Sequence, residues 1–484
     1  MIKFVGRKQE LKELESLFSR GDARVAVIKG RRRVGKSALV EKFAVGKNLI
    51  TISGIIPDAQ TTAQSEKDRF MEKVCEHFDL PFQTYPGWMT ILSFLAKQMQ
   101  EKYGDAPTVL FLDEISWMSS KDLSFIPLLK ECWDRYLSKK SNFMLIFCGS
   151  ISTWIEKNII MSTAFYGRMS MRYTLDPLMI NASARFLKYM GFNGKPQDVY
   201  RILSFTGGVP FYLEQIDPAL TAKENMKALC FKRNGVLVDE FDMIFHDLFN
   251  GEAVVHKKIL EILSNGRKLF SVIQKEYGNI SDEDLKKYLD NLEVCGFIAE
   301  YGQYSLKTGK ELTQHAYGLC DPYVNFYLRY IEPRRRKIKA EEYDMDQDPE
   351  MAGLDGIIGL AVEMLLIKNN SLIFKAVGAK RSLDYVFGPY HQKATSHQKA
   401  CQIDYLIQDK ENNIYLCEFK FLRDPVGKSV IDAVKQKMER LSVPEGTAFL
   451  PVLFHTSGVD KEVIDSKFFF RIIDISEFVK GEDD

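Results

Sequence analysis

The stretch "GRRRVGKS", Gly30 to Ser37, limits what this chain can fold into more than any other. It fits G-x-x-x-x-G-K-[ST] and stands between a strand pattern, "RVAVIK", and a helix pattern, "ALVEKFA". A phosphate-binding loop requires that placement. Glycines let successive amide N–H groups curl around phosphate oxygens at a helix N-terminus, where the dipole favours anions. Lys36 is then expected on the β- and γ-phosphates and the Ser37 hydroxyl on Mg2+. The expected nucleotide contacts run through Gly30, Arg31, Arg32, Arg33, Val34, Gly35, Lys36, Ser37 and Ala38.

A second motif supports the first. "TVLFLDEISWM" reads as a buried strand ending in Asp113 and Glu114. Asp113 suits the cation-holding carboxylate of a Walker B strand, and Glu114 stands where a carboxylate polarises an attacking water. The pair of motifs predicts ATP binding with Mg2+ as companion. The next strand pattern, "FMLIFCGS", ends in Ser150, whose hydroxyl either senses the γ-phosphate or serves ordinary turn chemistry. Arg168, in "FYGRMSMRYTL", either stabilises charge on the transferring phosphoryl group, in cis or from a neighbouring copy, or is a surface arginine.

At 484 residues the chain exceeds one ordinary core, and three domains are expected. A net charge of +1 says nothing for or against nucleic acid, so only local patches can. The eight cysteines form no CxxC pair and read as reduced core thiols, which points to the cytoplasm. The start, "MIKFVGRKQELKELE", lacks the apolar core of a signal peptide. Apolar runs such as "FMLIF" fall far short of the roughly 20 residues that cross a bilayer, so no membrane partner is expected.

"FVGRKQELKEL", "GRRRVGKS", "FLDEISWM", "CGS", "YGRM" and "TGGVPFYL" appear in an order that resembles the archaeal-type P-loop ATPases, within the AAA+-like and STAND ATPases. The resemblance covers roughly the first 240 residues. It implies a five-stranded parallel core followed by a helical lid. It also implies that Gly208-Val209-Pro210 couples nucleotide state to the lid, with Pro210 near the nucleotide.

From Val254 the helical patterns shorten: "HKKILEILSNG", "LFSVIQKEYG" and "SDEDLKKYLDNLEVCG", the last with Ser281 as N-cap and Gly296 as stop. "FIAEYGQYSLK" then alternates around a Gly-Gln turn like a hairpin. Three helices and a hairpin suggest a winged helix. Its third helix carries Lys286 and Lys287 but also Asp282, Glu283, Asp284 and Asp290, so nucleic-acid contact and a structural connector both stand as readings. "PRRRKIKAEEYDMDQDPE", Pro333 to Glu350, reads as a linker, with Arg334 to Lys337 as candidate phosphate contacts.

Beyond it come a helix ("GLAVEMLLIKNN"), strands ("SLIFKAV", "QIDYLIQD", "IYLCEFKF"), a helix ("KSVIDAVKQKMERL") and a last strand ("TAFLPVLF"). Alternation puts Glu418 and Lys420 on one strand face, with Asp404 in reach on the neighbouring strand. Two such acids need a cation between them or a lysine pairing, and the residues alone allow both. Glu363, Asp404 and Glu418-Phe419-Lys420 resemble the PD-(D/E)xK nucleases. That resemblance implies a second Mg2+ or Mn2+ on Asp404 and Glu418 with support from Glu363. It further implies that Lys420 assists the water and that Lys435 or Gln436 positions phosphate. Lys375, Lys380, Arg381, Lys393 and Lys399 outnumber Asp384 in the stretch between, which suits a phosphate backbone.

The expectation is therefore an α/β chain. It has a P-loop ATPase core (1–175), helical lid (176–250), winged helix (251–332), linker (333–350) and nuclease-like domain (351–484). Its function would be ATP hydrolysis coupled to a DNA-binding or DNA-cleaving module, or to a regulator whose nuclease-like site is inactive. Candidate partners are DNA, a protein and a second copy of the chain.

Overall fold

The computed structural model describes residues 4–150, 153–161, 165, 167–352, 354–379, 386–394 and 398–480. The chain divides into two compact units, Met1–Pro177 and Leu178–Asp483.

The first unit is built on five parallel strands: β1 (Arg24–Gly30), β2 (Asn48–Ser53), β3 (Thr108–Asp113), β4 (Phe143–Ser150) and β5 (Met169–Leu175). Their order is β2-β3-β4-β1-β5. Ala26, Ile28, Phe111, Ile146 and Cys148 pack to one face. Val25, Val27, Leu110, Leu112, Leu145 and Phe147 pack to the other. Helices cover both, which is why these strands read as unbroken apolar runs instead of alternating ones. The register pairs Gly30 with Ser150 and Leu112 with Phe147. The carboxyl ends of β1, β3 and β4 thereby fall together at one edge, where open α/β sheets bind ligands. This is the parallel-sheet P-loop fold expected for the first part of the chain.

The second unit opens with helices Ile180–Tyr189, Pro196–Thr206, Ala222–Cys230 and Val236–Phe249. Helices Ala253–Leu263, Phe270–Tyr277 and Asp282–Val294 follow, with β6 (Lys268–Leu269), β7 (Ile298–Tyr304) and β8 (Glu311–Leu319) in the order β6-β8-β7, antiparallel. The Ser281 hydroxyl accepts from the Asp284 N–H at 3.0 Å and caps the third of these helices. The hairpin differs from its expected form. Gly302 and Gln303 lie inside β7, and the turn falls at 305–310, where Gly309 takes a φ of +64°.

The segment 333–350 is helical turns, not open chain. Ile338 and Met345 are buried in it. Two of its arginines are spent on acids. Arg334 pairs with Asp348 at 2.5 Å and with Glu350 at 2.5 Å, and Arg335 pairs with Asp239 at 2.8 Å.

The rest is a five-stranded mixed sheet of β9 (Val386–Gln392), β10 (Cys401–Gln408), β11 (Asn413–Lys420), β12 (Ala448–His455) and β13 (Arg471–Asp474). The order is β13-β12-β11-β10-β9. "SLIFKAV" belongs to helix Asn370–Val377, not to a strand. Its run Leu372-Ile373-Phe374 is short enough to fit either period, and the first strand lies further on. Lys380, Arg381 and Asp384 fall outside the described residues. No helix among the described residues is long and apolar enough to cross a membrane.

Candidate active site

The loop between β1 and helix Lys36–Phe43 turns through Arg33 at φ +72° and Gly35 at φ +89°. Gly30 has no room for a side chain, since a Cβ there would stand 2.6 Å from the Leu175 carbonyl oxygen. Lys36 is buried, and its Nζ donates to the Gly30 and Arg31 carbonyls at 3.0 and 3.2 Å. The ammonium is thus folded back over the loop whose amides would cradle phosphate. Ser37 Oγ donates to Asp113 Oδ2 at 2.8 Å, which sets a hydroxyl and a carboxylate where a divalent cation is held in such loops.

Glu114 follows in the left-handed region at φ +50°, and this turns its side chain toward β4. Its Oε2 accepts from the Ser150 N–H at 3.0 Å and its Oε1 from the Ser150 hydroxyl at 3.2 Å. Gly149 gives the approach space, as a Cβ there would meet Ile155 Cδ1 at 2.6 Å and Glu114 Oε2 at 3.7 Å. A residue not singled out from the sequence, Arg7, ties the loop down. It donates to the Val34 carbonyl at 3.3 Å and to the Asp176 carbonyl, and pairs with Glu10 at 3.1 Å. Its signal was present in "FVGRKQE", an arginine after a glycine ahead of the first helix.

At the other end of the chain the acids also meet lysines. Asp404 Oδ2 accepts from the Phe419 N–H at 2.8 Å. Glu418, only 4% exposed, accepts from Lys420 at 2.8 Å on one oxygen and from Lys437 at 2.5 Å on the other. Lys437 also stands 3.8 Å from Asp404 Oδ1, so one ammonium faces both acids. Burial, then the charge of Glu418, pushes Asp404 up to about 6, against the pull of Lys437 and the Phe419 N–H. Burial works against the Lys437 charge, yet Asp404 and Glu418 hold it above the ordinary lysine range.

The helix contribution differs from the expected one. On Ser429–Arg440, Lys437 continues the buried stripe of Val430 and Val434, whereas Lys435 and Gln436 point outward. Lys435 lies over the Phe468 ring instead. Glu363 is likewise claimed, by Arg267 at 2.8 Å. Glu363, Asp404 and Glu418 therefore do not converge, and no group of three potential metal ligands occurs among the described residues. A second cation does not fit this donor set as arranged, because both Glu418 oxygens are already taken by ammonium groups.

Residues 4–216 match the family described as an ATPase domain predominantly from Archaea. The match supports an archaeal-type P-loop ATPase domain over those residues. An uncharacterized ATP-binding protein of Methanocaldococcus jannaschii is 41% identical over 49 residues, which is 10% of this chain and 83% of that protein. A second uncharacterized protein of the same organism is 24% identical over 344 residues, 71% of this chain and 72% of its own. Among solved structures, the Walker-type ATPase of Pyrococcus abyssi aligns with 67% of this chain and 96% of its own, at 17% identity and TM-score 0.49.

Two further residues expected at the nucleotide site are engaged elsewhere. Arg168 donates from Nε and Nη2 to the two carboxylate oxygens of Asp134, at 2.9 and 3.1 Å. Pro210 opens a short helix in the second unit, after Gly207 and Gly208 at φ +61° and +76°. Gly208 accepts from the Leu178 N–H at 2.9 Å and leaves no space for a Cβ, which would stand 2.5 Å from the Leu178 oxygen.

Proposed function

We propose that this ATPase is a Mg2+-dependent nucleotide switch governing a DNA-holding module made of a winged helix (251–332) and a nuclease-like domain (351–484). In its P-loop, Lys36 and the loop amides bind and orient the β- and γ-phosphates. Ser37 and Asp113 would hold Mg2+, whose charge would offset that of the phosphate oxygens. Glu114 takes the proton of the attacking water, for which it must let go of Ser150. Arg168 and Pro210 belong to the relay that reads nucleotide state, Arg168 after leaving Asp134.

The observation that carries the switch reading is the lysine clamp on Glu418: a buried carboxylate with an ammonium on each oxygen needs no cation for charge balance. A second reading, Mg2+- or Mn2+-dependent nicking of DNA at Asp404, Glu418 and Lys420, requires Lys420 and Lys437 to leave Glu418, and would then use Asp404, whose carboxyl is raised first by burial and then by the Glu418 charge. Calorimetric titration of the nucleotide-free full chain with Mn2+, paired with a nicking assay on wild type and Lys420→Ala, tests both. The switch reading expects DNA retention without Mn2+ heat or cleavage. Nicking abolished by Lys420→Ala would overturn it.

A further inference from the structure

The hairpin of β7 and β8 ends inside the core of the C-terminal sheet. Its turn, 305–310, is closed by the Ser305 N–H donating to the Lys310 carbonyl at 2.9 Å and the Gly309 N–H to the Ser305 carbonyl at 2.8 Å. Leu306, at the tip, is 1% exposed. It packs in one apolar cluster with Ile403 and Leu406 of β10, Ile414 and Leu416 of β11 and Val434 of helix Ser429–Arg440. Every other buried member of that cluster lies between Cys401 and Phe469. The Leu306 carbonyl accepts from Gln408 Nε2 at 3.0 Å, a second tie to β10.

A two-stranded ribbon can enter a DNA groove, and leucine is among the apolar wedges used there. A tip whose leucine fills another core cannot. Helix Asp282–Val294 offers little in its place. Asp282, Glu283 and Asp284 occupy its first turn, where acids repel phosphate. Lys286 pairs with Asp290 at 3.0 Å and Lys287 with Glu252 at 2.9 Å. The seat of the tip also carries a penalty. Gln408 is 5% exposed, and its Oε1 has no hydrogen-bond partner among the described residues. A buried acceptor in that state is costly, and lifting the tip lets water reach it. One leucine and one carbonyl bond make a small attachment, so a ligand that prefers the lifted tip can shift the balance.

We propose that this hairpin is an autoinhibitory latch. With Leu306 seated in the C-terminal sheet, the segment 251–332 is withheld from duplex DNA. Release of the tip frees the ribbon, with Leu306 and the exposed Lys307 and Lys310, to enter a groove. The latch rests on the reading of the second unit as a DNA-holding module and adds how that holding is controlled.

The test compares the full chain as wild type, Leu306→Ala and Gln408→Glu, by fluorescence anisotropy on a short labelled duplex. Gln408→Glu sets an acceptor against the Leu306 carbonyl and removes no apolar contact, so it opens the latch even where Leu306→Ala disturbs the core. Amide hydrogen exchange at 305–310 reports whether the tip has lifted. Both variants should exchange faster there and bind the duplex roughly fivefold more tightly or better. Faster exchange with affinity unchanged or lower overturns the latch and leaves the hairpin a fixed joint, while duplex binding by the wild type keeps the module. Exchange unchanged in both variants overturns it too, because Leu306 and Gln408 then do not hold the tip. No duplex bound by any of the three overturns both the latch and the DNA-holding module.

Discussion

The carboxylate of Glu114 rests on Ser150, accepting from its backbone N–H at 3.0 Å and from its hydroxyl at 3.2 Å. A base so held is not free to meet water. Ser150→Ala removes one of the two bonds, and a hydrogen bond to a charged group is worth about 1.5–3 kcal/mol. We expect basal ATP turnover to rise several-fold in the variant, measured by phosphate release. A fall in turnover would place the hydroxyl on the γ-phosphate instead.

Binding and chemistry should separate within the P-loop site. Glu114→Gln is expected to keep ATP affinity while turnover drops by roughly 10²–10⁴, the share a general base supplies. Lys36→Ala should lose affinity itself, because its Nζ is the cation folded over the loop mouth. Fluorescent-nucleotide binding alongside phosphate release distinguishes the two losses.

Lys437 is the ammonium that faces both C-terminal acids. Lys437→Ala leaves Glu418 with Lys420 alone and sets it against Asp404 without a mediator. Breaking a buried pair from one side costs about 3 kcal/mol or more, so the transition of the second unit should move clearly down in a thermal melt at pH 7. Lys435→Ala, one turn-face away and exposed, should change it little.

The same acids predict a pH slope. Asp404 sits at about 6 when folded against 3.8 in its ordinary state, so the folded chain holds the extra proton between roughly pH 4 and 6. Its contribution is fully present below pH 4 and is lost as pH rises through 6. Asp404→Asn should flatten the slope of Tm between pH 4 and 7 and be the more stable protein at the upper end. An unchanged slope would show that Asp404 does not titrate there.

What the sequence made legible follows from how local each signal is. Gly30 to Ser37 and Asp113-Glu114 are read directly, because strand, turn and helix each leave their own pattern within a few residues. Ser281 as a cap belongs to the same class. The clamp on Glu418 could not be read that way: Lys437 is distant in the chain, and only its place three residues after Val434 on the buried stripe marked it. Glu363 was correctly placed on a helix, but its partner Arg267 comes from another part of the unit, a pairing no spacing announces. "SLIFKAV" was misread because a short apolar run carries no period, and Gly302-Gln303 because a strand can pass through a turn-forming pair when the partner strand runs alongside.

The coiled turns of 333–350 bear on how the chain meets a protease. By composition, "PRRRKIK" offers trypsin five cleavable bonds in a row of seven residues. A protease must straighten its target to cut, and here straightening means giving up Arg334 on Asp348 and Glu350, Arg335 on Asp239, and the shelter of Ile338. Brief digestion should therefore spare this stretch at low salt and nick it once concentrated salt has weakened those attachments.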